Sequence, residues 1–265
     1  MRLAGALSLL LLAPVAAQEP GVARALATAL EQARGRDQLG RILGEHRFTL
    51  TRSQFTPEGQ PSGAPLVLAM VYRVSLAEGR LGVVVDVRQP GAERGVELRY
   101  EVDVASGRLR GLDSSFPNGE QVSARLEGET LKVIHRHTGA EPSQQEERVD
   151  PELLCPKQVG AFLLPALHDL GAPARVAFRD LDPWGKVGPR ATLRRAFATP
   201  SELIYCTDEG GPLPATTLRV ALRGPRANRL VAFETISEWI KTPGGGDRVV
   251  HLARSVRLDP EEERR

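Results

Sequence analysis

The sequence predicts an α+β protein, mostly β, in which a large curved antiparallel meander sheet, an open or incomplete barrel, has an N-terminal helix and a second helical segment packed on it. Three observations lead there. Most of the chain alternates apolar and polar residues with period two, short turn-forming pairs separate the alternating stretches, and two stretches change to a spacing of three to four residues.

The first of those stretches is Glu19 to Leu43. Val22, Leu26, Ala29, Leu30 and Ala33 recur on one side, while Arg24, Glu31, Gln32 and Arg34 take the others. Gly35 ends the main segment, and Leu39, Ile42 and Leu43 give a shorter continuation up to Gly44. A helix with one apolar stripe has to bury it against another element.

From about residue 46 the period is two. Val96, Leu98, Tyr100, Val102 and Val104 alternate with Glu97, Arg99, Glu101 and Asp103, which describes a strand with one wet and one buried face. Residues 66–74 differ, with Leu66, Leu68, Met70, Tyr72 and Val74 on one side and Val67, Ala69 and Val71 on the other. The expectation there is cover on both faces, the N-terminal helix supplying one. Further strands are predicted at 46–55, 80–88, 108–113, 119–127, 130–138, 174–182, 191–198, 201–206, 216–223, 229–239 and 248–258. Between them stand Glu78-Gly79, Pro90-Gly91, Ser106-Gly107, Asn118-Gly119, Glu127-Gly128, Gly210-Gly211 and Gly244-Gly245-Gly246. Connections this short make hairpins, so the sheet is antiparallel.

A helical interruption falls at about 151–170. Asp150-Pro151 offers an N-cap followed by Pro in the first turn, and Val159, Phe162, Leu163, Leu167 and Leu170 keep helical spacing until Gly171 and Pro173 close it. The polar run Gly139 to Glu147 ahead of it reads as a loop. Nothing in this order marks a second domain: residues 18–258 are expected to form a single β-rich domain, followed by a polar tail at 259–265.

Composition narrows the function classes. The chain has 265 residues, 41% hydrophobic and 26% charged, with a net charge of +2. Its 35 basic residues, of which only Lys132, Lys157, Lys186 and Lys241 are lysines, are interspersed with 33 acidic ones. Such a mixed surface argues against a nucleic-acid partner, which selects a concentrated basic face. Coiled-coil, collagen-like and polytopic membrane classes do not fit these proportions.

Residues 1–17 have the chemistry of a secretory signal peptide. Arg2 is followed by an apolar run to Ala13, Pro14 breaks it, and Val15-Ala16-Ala17 supplies small residues before Gln18. The run is too short to span a bilayer. The expected location is therefore periplasmic or extracellular, with no transmembrane segment in the mature chain. In an oxidising compartment, Cys155 and Cys206 are candidates for a disulfide, which would contribute on the order of 4 kcal/mol if geometry allowed it.

Polar groups on otherwise apolar strand faces are the candidate ligand-binding residues. His135 and His137 continue the side of Leu131 and Val133, and Asp180 that of Val176 and Phe178. Arg195 stands between Leu193 and Phe197, Arg254 between Leu252 and Val256, and Trp239 ends the row Val231, Phe233, Thr235, Ser237. If those faces line one cavity, their polar groups converge inside it, as in a furnished binding pocket. The same parity also allows strand ends that return the groups to water, or a structural pair between Asp180 and an arginine. No catalytic residue or cofactor is assigned, since the common hydrolase and nucleotide motifs are absent. His135 and His137 lack a third ligand at a suitable spacing, so no metal is assigned either.

The order of helix, long meander and late helical interruption resembles the periplasmic lipoprotein-carrier superfamily, LolA-like and LolB-like, with its secreted bacterial relatives. The passages that carry this are the strand-turn-strand unit Leu98-Arg-Tyr-Glu-Val-Asp-Val-Ala-Ser-Gly-Arg-Leu109 and the run Asp150-Pro-Glu-Leu-Leu-Cys-Pro-Lys-Gln-Val-Gly-Ala-Phe-Leu-Leu164. The resemblance implies a curved, incompletely closed barrel holding acyl chains under helices, and it transfers no functional residue. Arg195 and Arg254 on inner faces would depart from a purely apolar concavity. The functional expectation is an exported, non-enzymatic protein that binds a lipid or other apolar or amphipathic small molecule. Two alternatives stay open: a secreted hydrolase-like enzyme using His135, His137 and Asp180, and a cell-envelope structural or interaction module.

Overall fold

The computed structural model describes residues 19–56, 60–208, 216–223, 227–240 and 248–257. The predicted signal segment 1–17 and the tail 259–265 lie outside them.

One antiparallel sheet of fourteen strands contains most of the chain. The first meander runs β1 (Gly44–Phe55), β2 (Leu66–Ala77), β3 (Arg80–Arg88), β4 (Val96–Asp103), β5 (Leu109–Ser115), β6 (Gln121–Glu127), β7 (Thr130–Arg136) and β8 (Ser143–Arg148). The second runs β9 (Arg175–Leu181), β10 (Val187–Ala198), β11 (Glu202–Asp208), β12 (Thr216–Ala221), β13 (Leu230–Ile240) and β14 (Arg248–Arg257). Antiparallel pairing of β14 with β1, in register from Phe48 opposite Arg257 to Phe55 opposite Val250, joins the two into one sheet.

The sheet curls around a helical layer and is not closed into a barrel: its end strands, β8 and β9, do not pair with each other. Residues 149–155 run along the gap instead. Val149 donates its N–H to Glu129 O at 2.8 Å, Arg179 of β9 donates to Leu153 O at 2.7 Å, and Cys155 donates to Arg179 O at 3.1 Å. Pro20 O accepts the Ala177 N–H at 3.0 Å on the same edge. The outer-edge N–H of Ala177 and both backbone groups of Arg179 are thereby satisfied, and the middle of an edge that would template aggregation is covered.

Inside the curl lie α1 (Val22–Gly35) and α2 (Lys157–Ala166). α1 buries the predicted stripe of Val22, Leu26, Ala29, Leu30 and Ala33, together with Ala23 and Ala25. Its small residues allow close approach: a Cβ on Gly107, in the β4–β5 turn, would stand 1.9 Å from Ala23 O. On α2, Phe162 stacks on Tyr72 at 4.8 Å and contacts the His46 ring at 5.0 Å, which fixes the helix over β1 and β2. His46 is itself buried and bonds to Ile42 O through Nε2 at 2.8 Å.

Four expectations are corrected. The second apolar face of β2 is uncovered, with Val67 46% exposed and Ala69 exposed, because both helices lie on the concave side and, among the described residues, nothing packs outside it. The run read as a loop at 139–147 overlaps β8, an edge strand whose side chains are all exposed; with no face to bury, it carries no alternation to read. α2 starts after Pro156 rather than at Asp150-Pro151; Asp150 Oδ1 instead accepts the Glu152 N–H at 2.9 Å within a separate turn. Finally, Cys155 and Cys206 are free thiols, not a disulfide. On β11, Leu203, Tyr205 and Thr207 face the helices, and alternation places Cys206 with Ile204 on the opposite face, away from Cys155.

Candidate ligand cavity

The inner rows of the first meander and the exposed side of α2 leave a space between them. Leu50 of β1, Leu68, Met70 and Tyr72 of β2, Val85 and Val87 of β3, and Val96 and Leu98 of β4 form one wall. Gln158, Ala161 and Phe162 of α2 form the roof, and Leu218 and Leu230 of the second meander close the far side. The cavity measures about 590 Å³, within the range of sites for small organic ligands. Its walls are aliphatic and aromatic for a local reason: period-two alternation sends every second residue of four adjacent strands to the same face.

The cavity opens at one end of the sheet, where β1 and β3 finish and β2 and β4 begin. Exposed Arg52, Gln89, Arg94 and Pro117 mark that open end, and half-buried Arg88, Gly95, Lys157 and Pro183 also line the cavity. Arg52 continues the inner row His46, Phe48, Leu50 past the last apolar residue. Arg94 comes from the β3–β4 hairpin. Arg88 is paired with the buried Asp86 carboxylate through two hydrogen bonds. Trp184, in the β9–β10 turn, stacks on Phe116 at 3.9 Å and 4°, pinning that hairpin across the sheet beside the mouth.

Deep polar groups are few. The Tyr72 hydroxyl is fully buried, and burial pushes it well above the ordinary tyrosine range. Tyr100, also raised by burial, donates to Gln158 Oε1 at 3.5 Å. Both phenols are therefore neutral at any physiological pH.

The residues singled out from sequence fall elsewhere. His135 is on the inner row of β7, opposite Val122 and Ser143, near the free edge of the sheet. His137 follows it beyond the strand end, with Nδ1 2.9 Å from Glu120 Oε1 and its ring parallel to that of His135 at 6.4 Å. Asp180 keeps the predicted face of β9, and its Oδ1 accepts the backbone N–H of Lys157 at 2.6 Å. Arg195 is exposed beside a register shift in β10, opposite Tyr205. Arg254 stands opposite Thr51 and Glu234, and Trp239 opposite Val249, but their side chains lie outside the described residues. None of His135, His137, Asp180 and Arg195 lines the cavity. The cations at its mouth were not singled out, although Arg52 carries the same signal as Asp180, a charge continuing an apolar row of a predicted strand.

Among the described residues no group of His, Cys, Asp and Glu has the arrangement of a metal site. Among the described residues no helix is long and apolar enough to cross a membrane.

The class these features define is a curled antiparallel sheet with an internal apolar cavity. No protein-family model and no curated protein matches the sequence. Among solved structures the chain is similar to a β-barrel-like protein of a domain of unknown function, DUF1849, from Brucella abortus, at 10% identity over 82% of this chain and 99% of that one, with a TM-score of 0.37. It is also similar to a LolA superfamily protein from Nitrosomonas europaea, at 11% identity over 88% and 91% of the two chains and a TM-score of 0.24. Both are distant likenesses.

Proposed function

We propose that this chain is an exported binding or carrier protein that holds an apolar or amphipathic small molecule between α2 and the inner rows of β1–β4. One observation carries the reading: a cavity of about 590 Å³ whose walls are mainly aliphatic and aromatic and whose exposed end carries Arg52 and Arg94. Burying an apolar ligand there gains roughly 25 cal/mol per Å² of surface removed from water, without any catalytic group. Export rests on the signal-like chemistry of residues 1–17. A hydrolase built on His135, His137 and Asp180 has less support, since His137 is bonded to Glu120 and Asp180 to the start of α2.

Native mass spectrometry on protein recovered from the exported fraction, followed by lipid extraction, tests this directly. The expected result is a chain beginning at Gln18 with a co-purifying apolar molecule, and uptake of a neutral environment-sensitive dye by the emptied protein. Ala161→Trp, which projects an indole from α2 into the cavity, should abolish dye uptake with the circular dichroism spectrum unchanged. An empty protein that also takes up no dye overturns the proposal.

A further inference from the structure

The cavity is asymmetric in charge. Arg52, Arg88, Arg94 and Lys157 line it, and among its described lining residues there is no Asp or Glu. Arg88 is already committed to Asp86, and Lys157 is tied to the β9 strand end by its backbone N–H on Asp180 and is not free in its other interactions. Arg52 and Arg94 are exposed and make no ion pair or side-chain hydrogen bond among the described residues. They enter the mouth from different elements, one from the end of β1 and the other from the β3–β4 hairpin.

Two guanidinium groups without a direct ion-pair partner on the lining of one apolar cavity offer an anionic group donors from both sides. Guanidinium presents paired N–H donors that match carboxylate and phosphate oxygens, and such charge-assisted bonds are about twice as strong as neutral ones. An apolar chain alone would leave that arrangement unused, and a free anion would leave the walls wet.

We propose that the occupant is a single-chain amphiphile with an anionic head, its tail among Leu68, Met70, Tyr72 and Phe162 and its carboxylate or phosphate at Arg52 and Arg94. This deepens the carrier reading and rests on it. It adds a ligand class and a fixed orientation, head at the mouth and tail inward.

The test is displacement of the neutral dye from the full chain at pH 7 by four ligands of one chain length: dodecanoate, dodecyl phosphate, dodecanol and dodecyltrimethylammonium, with inorganic phosphate as a fifth arm. The two anionic ligands should displace the dye at concentrations about tenfold below dodecanol, a difference that shrinks as salt is raised. Dodecanoate against dodecyl phosphate identifies which head is preferred, and inorganic phosphate alone should displace nothing. The double variant Arg52→Gln/Arg94→Gln, on surface positions that leave the core intact, should lose that tenfold advantage and bind dodecanol within about twofold of the parent. Equal displacement by dodecanol and the anions, or anion binding unchanged in the double variant, overturns the headgroup assignment while leaving the cavity reading standing. If neither the dye nor any twelve-carbon ligand binds, the cavity reading itself fails and this inference with it.

Discussion

Asp180 on β9 accepts the backbone N–H of Lys157 at 2.6 Å, so the first residue of α2 is capped by a strand 23 positions away rather than by its own N-cap, Pro156, which makes no side-chain cap bond. A carboxylate at this place satisfies one of the orphan donors of the first turn and opposes the positive end of the helix dipole. Because α2 roofs the cavity, the bond also ties cavity geometry to the second meander.

Replacing that carboxylate should therefore cost stability. Asp180→Ala is expected to destabilise by about 1–2 kcal/mol, and Asp180→Asn, which keeps an acceptor, by less. Urea denaturation midpoints of the two variants check the order; equal values would show that the Lys157 bond contributes nothing.

A second prediction contrasts two glycines of left-handed conformation. Gly79 has φ +74° with nothing within 4 Å of a Cβ, whereas Gly107 has φ +67° and its Cβ would strike Ala23 O. Gly79→Ala should cost about 1 kcal/mol, the strain of the conformation alone. Gly107→Ala adds a collision with the backbone of α1 and should cost about 3 kcal/mol. Thermal or chemical melts of the pair give the comparison.

Acid should weaken the β4–β5 turn. The Arg110 guanidinium, with the Ser106 N–H and hydroxyl, holds the Asp103 carboxyl down at about 2, against an ordinary 3.8. A depressed carboxylate contributes stability that is present above the unfolded value and is lost as pH falls from about 3.8 toward 2. Asp103→Asn should flatten the stability profile in that window, with an effect at neutral pH of no more than about 1 kcal/mol because the group is well solvated. Denaturant midpoints measured across that window decide it.

The two thiols should behave as buried groups. Burial pushes Cys155 up to about 12, so it carries almost no thiolate near neutrality, and Cys206 is 6% exposed. Thiol titration is expected to find negligible fast-reacting groups in the native protein and both after unfolding, with the mass unchanged by reductant. A two-dalton gain on reduction would contradict the free-thiol state.

How far the sequence could be read depended on whether a residue's role is set by its own strand. Parity placed His135 with Leu131 and Val133, and Asp180 with Val176 and Phe178, on the rows the sheet uses, because alternation is a local property of the backbone. What stands over a face is decided by elements distant in sequence. Asp180 meets Lys157, Arg195 runs out past the helical cover at a register shift, and Val67 and Ala69 of β2 face solvent although their pattern matches a buried strand. β8 was invisible because only its backbone pairs. The cavity itself is a gap between α2 and four strands, and no single segment encodes it. Its charged lip was partly legible, as Arg52 continues the row of Phe48 and Leu50.

The pairing of β1 with β14 has a kinetic side. Every other ladder in the sheet joins strands that are neighbours in sequence, and each can form as a hairpin soon after its turn closes. Phe48 and Arg257 face each other only after nearly the whole chain has been gathered, so this one ladder bears the largest loop-closure entropy and the sheet as a whole has a high contact order. Until β14 arrives, β1 presents an unpaired edge in a half-built protein. The slow step of folding and the moment of greatest exposure to misassembly therefore coincide at a single seam.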